Sequence, residues 1–274
     1  MATIDEVRSY WNQHIHDLEI TRHPVGSRGF FDDLDHYHFE KLHHLPRLVS
    51  FDGYRGRRVL EVGCGAGVDL ARFAKGGADV TGVDIAGSAI DLARFARGGA
   101  DVTGVDIAPA AIELARANFA QQHLHGRFEV ANGEELPFPD NVFDLVYAHG
   151  VVQYTAHPRR LVDECRRVLK PGGEAVVQVY NRISWLNLLS NVMNVGLEHE
   201  TAPVLIKFTA GEFRRLLDGF REVRIVPERF PVRSRLHGGW KGAVYNGLFV
   251  GTFNALPRPF VRRFGWHLLA FCRK

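Results

Sequence analysis

Glu61, Gly63, Gly65 and Gly67 alternate through RVLEVGCGAG, residues 58–67, a spacing suited to holding a ligand against bare backbone. Val59-Leu60-Glu61-Val62 has the length and content of a buried parallel strand, and the glycines remove the side chains that would keep a ligand away. A helix expected from Val68 to Lys75 offers unpaired N–H groups and a positive dipole end at that point. Glycine loops also serve ordinary tight turns. Two features separate this one from a bare turn: an acidic residue at the tip of the next strand, and a βα series that continues downstream.

The spacing discriminates between cofactors. A dinucleotide fingerprint requires G-x-G-x-x-G, its third glycine serving helix packing, whereas this chain has G-x-G-x-G followed by Val68. With Glu61 before it, VLEVGCGAG resembles the first motif of the class I S-adenosylmethionine-dependent methyltransferases, of the small-molecule type found in quinone biosynthesis. DVTGVDIA (101–108) resembles that family's second strand with its ribose-binding acid. ANGEELPFPDNVFDLVYAHGVVQY (131–154) resembles its adenine loop and fourth strand, and LVDECRRVLKPGGEAVVQVY (161–180) its following helix, turn and fifth strand. The resemblance runs from about Arg58 to Tyr180. It implies an α/β fold: a doubly wound, mostly parallel Rossmann-like sheet with an antiparallel terminal strand.

Residues 69–90 recur as residues 91–112, differing only at Lys75/Arg97, Gly87/Pro109 and Ser88/Ala110. One helix-plus-strand unit of 22 residues is present twice in tandem. A solenoid needs at least three stacked units, so the repeat reads as an insertion into the sheet domain. It supplies two candidates for one ribose acid, Asp84 and Asp106. Counting from Gly65 favours Asp84, which lies near the roughly 20-residue interval expected. Sheet geometry favours Asp106, because admitting both copies would push the next strand outward by about 4.8 Å. Extruding residues 76–97 instead leaves the excursion at the edge remote from the cofactor.

The resemblance implies roles residue by residue. Gly63, Cys64 and Gly65 would present backbone to the methionine part of S-adenosylmethionine, and Glu61 would orient the loop or meet the ammonium group. Asp106 or Asp84 would accept from the ribose hydroxyls, with Ile107 or Ile85 over the adenine. Asn132 stands where relatives commonly carry Asp; its amide oxygen would accept from the adenine amino group, and Gly133 would add a backbone contact. A sulfonium methyl is already activated, so the protein mainly aligns the attack and removes one proton. His149 and Tyr154 are the candidates for that step, His149 also standing where it would border the cofactor. An NAD-dependent oxidoreductase and a catalytically silent S-adenosylmethionine-binding module are the alternatives.

The rest of the chain frames this site. Residues 1–50 read as a helical N-terminal cap, with apolar positions at helical spacing across 30–49 and a helix ending near Ser50. The resemblance implies that residues 51–274 form a methyltransferase domain. LVDECRRVLK should be a helix ended by PGG; TAGEFRRLLDG (209–219) should be another, with Thr209 and Glu212 as a capping box. FREVRIV (220–226) and GWHLLAFCRK (265–274) read as two terminal strands. Segments 182–205 and 229–264, rich in leucine and aromatics, would cover an apolar small-molecule substrate or touch a membrane surface peripherally. At 46% hydrophobic and 24% charged, with net charge +3, the chain suits one α/β core and shows no basic block that would indicate nucleic acid. Cys64, Cys165 and Cys272 have no metal spacing, and MATIDEVRSYWNQH lacks the apolar core of a secretory signal. Reduced thiols, no bound metal and a cytoplasmic location are therefore expected.

Overall fold

A computed structural model describes residues 2–15, 17–77, 102–193, 199–231, 247 and 250–274. Asp84 and Ile85 lie outside the described residues.

Strand β1 (Val59–Val62) is buried along its whole length, as its unbroken apolar content requires. It lies beside the central strand, β4, of a seven-stranded sheet of order β3-β2-β1-β4-β5-β7-β6. The other strands are β2 (Val102–Asp106), β3 (Arg127–Val130), β4 (Phe143–Ala148), β5 (Leu169–Tyr180), β6 (Arg221–Glu228) and β7 (His267–Arg273). β1 pairs in parallel with both β2 and β4, Val59 standing opposite Val102 and Leu145. β7 runs antiparallel to β5 and β6, pairing Tyr180 and Glu228 with His267. The chain winds outward in both directions from β1 and β4, so a crevice opens beyond their C-terminal ends, where ligands bind in doubly wound sheets.

Helices cover both faces. On one lie α2 (Arg28–Lys41), α4 (Val68–Lys75) and α5 (Pro109–Gln121), burying Phe30, Phe31, Leu70 and Phe73 against Val59, Leu145 and Tyr147. On the other lie α6 (Pro158–Val168) and α7 (Ala210–Leu216), whose Leu161, Cys165 and Phe213 pack on Leu60, Val146 and Val177. Each large apolar side chain so covered contributes about 1.5–3 kcal/mol. The capping box at Thr209 forms as expected, Thr209 Oγ1 accepting from Glu212 N and Glu212 Oε2 from Thr209 N.

Of the repeat, α4 uses the helical part of the first copy and β2 the strand part of the second. The described sheet takes one strand from the pair, and it ends at Asp106.

Two helix boundaries differ from expectation. The apolar run 30–49 is split: α2 ends at Lys41 and α3 (Leu45–Leu48) restarts with Pro46 in its first turn, because a proline starts a helix but cannot continue one. α6 ends at Val168, before PGG rather than at it; Leu169 is already extended, and Lys170-Pro171-Gly172-Gly173 belongs to β5. The residue before a proline is driven out of helical geometry, which moves the break upstream.

Candidate active site

Four loops, after β1, β2, β3 and β4, meet the end of β5 in one cavity, roofed by the N-terminal cap. The loop after β1 is tied to β2: Gly63 N and Cys64 N both donate to Val105 O, at 2.7 and 3.0 Å. Gly63 and Gly65 hold φ of +72° and +52°, values that disfavour side chains. Their surroundings differ. A Cβ on Gly63 would strike Val151 at 2.9 Å, whereas one on Gly65 would meet nothing within 4 Å and would point into open space. Gly63 is therefore required by packing, and Gly65 leaves room for a ligand.

Asp106, at the tip of β2, braces that loop. Its Oδ2 accepts from Gly65 N at 3.0 Å and its Oδ1 from Ala108 N at 2.9 Å. Burial pushes its carboxyl above the usual range, against the pull of these backbone donors. Glu61 is 4% exposed, and its Oε2 has no hydrogen-bond partner in the protein. Burial, reinforced by the charge of Asp69, raises its carboxyl well above the usual range. A buried acid with an open oxygen is satisfied by a cation. Cys64 is buried, and its thiol is pushed up by burial and then by Asp106, so it offers backbone rather than thiolate chemistry.

Ile107, Asn132 and Gly133 line the same cavity. The Asn132 amide oxygen already accepts from Glu134 N at 3.0 Å, shaping the loop after β3. One lone pair is thus committed locally, and the other remains for a ligand.

His149, just past β4, stacks nearly parallel on Tyr147. Its Nδ1 lies 3.9 Å from Asp69 Oδ2 and its Nε2 has no partner. Burial pushes it down to about 4, outweighing the opposing pull of Asp69, so the ring is neutral at physiological pH. Tyr154 is engaged: its hydroxyl donates to Tyr180 Oη at 3.2 Å, and Trp11 meets its ring edge-on at 4.7 Å.

Several lining residues escaped the sequence reading. Asp69, in the first turn of α4, is bound by His38 Nε2 at 3.0 Å and by the Tyr147 hydroxyl at 3.0 Å. Burial raises the Asp69 carboxyl, but His38 and the other partners outweigh it and hold it below the usual range. His38 comes from α2, which also lends Leu34 and Lys41, while α1 (Ile4–Gln13) lends Ile4, Val7 and Trp11. Leu34, His38 and Leu42 stand four residues apart, a helical face that periodicity could have revealed. Among the described residues of the expected covers, 182–205 and 229–264, only Arg229 reaches the cavity. Trp185 is buried and donates to Arg229 O at 2.8 Å, and Trp240 lies outside the described residues. Among the described residues, no group of three or more His, Cys, Asp or Glu is placed to hold a metal ion, and no helix is long and apolar enough to cross a membrane.

Residues 86–177 match a family described as "Methyltransferase domain". The matched segment includes Asp106 but neither Asp84 nor the glycine loop. A ubiquinone biosynthesis O-methyltransferase of Roseobacter denitrificans is 33% identical over 153 residues, covering 56% of this chain and 51% of that protein. The chain thus spans about half the length of this curated relative. Among solved structures, a chain from the complex of the Haloferax volcanii Trm112 methyltransferase activator with a methyltransferase has TM-score 0.57 at 19% identity, covering 97% of this chain and 96% of that one. The [4+2]-cyclase SpnF has TM-score 0.54 at 17% identity, covering 99% and 96%. These two likenesses concern the fold.

Proposed function

We propose, from the match of residues 86–177 to a methyltransferase family and the likeness to a ubiquinone biosynthesis O-methyltransferase, that this chain is a class I S-adenosylmethionine-dependent methyltransferase that transfers a methyl group from S-adenosylmethionine to a small, apolar-bodied acceptor. The observation that carries the proposal is the unpartnered, buried Glu61 oxygen facing the same cavity as the open side of Gly65 and the Asp106 carboxylate. A ligand with an ammonium at one end and a ribose diol at the other fits that set. Glu61 would receive the ammonium, Gly63, Cys64 and Gly65 would supply backbone, Asp106 would accept from the ribose hydroxyls, and Ile107, Asn132 and Gly133 would border the adenine. When bound, the cofactor supplies an electrophilic sulfonium methyl.

The remaining work is orientation and removal of one proton. His149 Nε2, neutral and without a protein partner, accepts the acceptor's proton, and Asp69 beside Nδ1 stabilises the imidazolium that results. Tyr154, committed to Tyr180 and packed on Trp11, shapes the acceptor space rather than exchanging protons. The apolar wall of α1 and α2 favours an apolar acceptor body and keeps water from the reacting atoms.

Calorimetry tests the reading. S-adenosylmethionine and S-adenosylhomocysteine should bind and NAD should not, and Gly65→Val should abolish binding. His149→Ala should lower kcat while leaving S-adenosylhomocysteine affinity unchanged. Tight NAD binding, or unaltered S-adenosylhomocysteine affinity in Gly65→Val, would overturn the assignment. The oxidoreductase reading gains no support from the glycine spacing or the antiparallel β7. The likeness to a cyclase keeps turnover, rather than binding alone, as the decisive measurement.

A further inference from the structure

The sheet face that floors the cavity is apolar at Val176 and Leu269 and then turns polar at Gln178, Tyr180 and His267. Gln178 interrupts the buried run Val176-Val177-Gln178-Val179 in β5 and is 1% exposed; neither its Oε1 nor its Nε2 has a protein partner. His267, two residues from the partner of Gln178 on β7, is 2% exposed. A polar atom buried without a partner costs stability, and here both polar atoms of Gln178 and Nδ1 of His267 are in that position, in residues that line one cavity.

Arg229 fixes the character of this end. It holds φ +59°, a left-handed conformation that costs energy for a side-chain-bearing residue. Its carbonyl accepts from Trp185 Nε1 at 2.8 Å and from Trp266 N at 3.3 Å. These bonds pin the backbone so that the guanidinium reaches His267 Nε2 at 3.2 Å. A guanidinium can only donate, so Nε2 of His267 accepts, and the neutral ring carries its proton on Nδ1. That buried N–H has no protein partner. The donors here are a guanidinium fork, an imidazole N–H and the Gln178 amide NH2 group, beside which the Gln178 oxygen is an acceptor.

We propose that Arg229, His267 and Gln178 form an anion subsite that holds a carboxylate on the methyl acceptor. A planar carboxylate presents two oxygens to a guanidinium fork and accepts further bonds from flanking donors. The subsite rests on reading this cavity as the acceptor site. Burial and the nearby Arg229 charge hold His267 well below its ordinary range, so in the free protein it adds a donor without adding a charge. Asp69, beyond His149, already has His38 and Tyr147 as partners. In the same cavity, Val7, Trp11, Ile15 and Leu34 provide an apolar wall, so the ligand class is a carboxylic acid with an apolar aryl or alkyl body.

The test uses 4-phenylbutyrate and its neutral primary amide as probes, titrated into the whole protein alone and with S-adenosylhomocysteine. The acid should bind at least about tenfold tighter than the amide, the scale of one charged hydrogen-bonded pair. Arg229→Asn preserves the left-handed backbone, since asparagine adopts it readily, and should erase most of that preference. Gln178→Leu, apolar and of similar size, should reduce it independently, while Ile15→Ala should weaken acid and amide alike. Equal affinity for acid and amide, no detectable binding of the acid, or a preference surviving both Arg229→Asn and Gln178→Leu would overturn the subsite. The cofactor reading is judged separately: failure to bind S-adenosylhomocysteine with the acid preference intact would remove that reading and leave the subsite standing.

Discussion

Asp106→Ala should damage ligand binding and the scaffold by separable amounts. On the ligand side it removes the charged acceptor proposed for the ribose hydroxyls, worth about 1.5–3 kcal/mol, or about 10–100-fold in S-adenosylhomocysteine affinity. On the protein side it orphans Gly65 N–H and Ala108 N–H, which donate to this carboxylate at 3.0 and 2.9 Å. Each orphaned buried donor costs about 1–3 kcal/mol, and a domain of this size loses about 2–4 °C of melting temperature per kcal/mol. The variant should therefore melt several degrees lower even without ligand. Asp106→Asn should recover part of the melting temperature, since its amide oxygen still accepts one backbone N–H, while remaining weak in binding. Asp84→Ala should be silent in both assays. The near-identity of the two copies adds a branch: if the chain can slip register and seat the intact strand, each single alanine variant binds and only the double variant fails. Calorimetry and thermal denaturation of the three alanine variants distinguish these outcomes. Normal binding in the double variant would refute the ribose-acid role and the extrusion argument together.

Three further outcomes are expected. Deleting residues 78–99 joins Gly77 to Ala100 and leaves four residues between α4 and β2, within the roughly 2–6 usual for such a connection; the shortened protein should fold and keep its S-adenosylhomocysteine affinity, and an insoluble product would count against an extruded insertion. Glu61 is held above the usual carboxyl range by burial and Asp69, so binding an ammonium-bearing ligand should release a proton and weaken as pH falls; calorimetry in buffers of different ionisation enthalpy reads this, and Glu61→Gln should abolish the release. His44 is fully buried and pushed by burial down to about 3 from 6.5. Its folded pKa lies below the unfolded one, so stability is lost as pH falls below about 6.5 and on toward 3; at pH 5 the loss is about 2 kcal/mol. His44→Phe should flatten the decline in melting temperature between pH 7 and 5, and an unchanged slope would show that other groups govern it.

Much of the fold was legible because its signals are local. The bounds of β1 and α4 follow from a short apolar run, a glycine loop and an amphipathic turn, and the structure places both where the residues suggested. The capping box at Thr209 is likewise a three-residue interaction. The acceptor side was less legible, since it is assembled from distant segments: His38 meets Asp69 across 31 residues, and Arg229 meets His267 across 38. No periodicity announces such meetings. Single polar intrusions do, and Gln178 within AVVQVY and His267 before LLAF were signals of that kind. The cap illustrates the converse. Its helical content was readable, but its part in the cavity wall depends on how α1 and α2 dock, which composition does not encode.

The helix–strand unit that works in this fold is a composite, its helix drawn from the first copy and its strand from the second. At the level of the gene, this makes the arrangement self-healing. Unequal recombination between the two near-identical stretches, wherever it falls within them, excises 22 codons and leaves one complete unit, altered at no more than the three positions where the copies differ. If residues 76–97 are an extruded insertion, point changes within them would meet little purifying selection, while the same changes in residues 69–75 or 102–112 would be removed. On that reading drift makes the copies diverge unevenly, Asp106 being kept and Asp84 free to change.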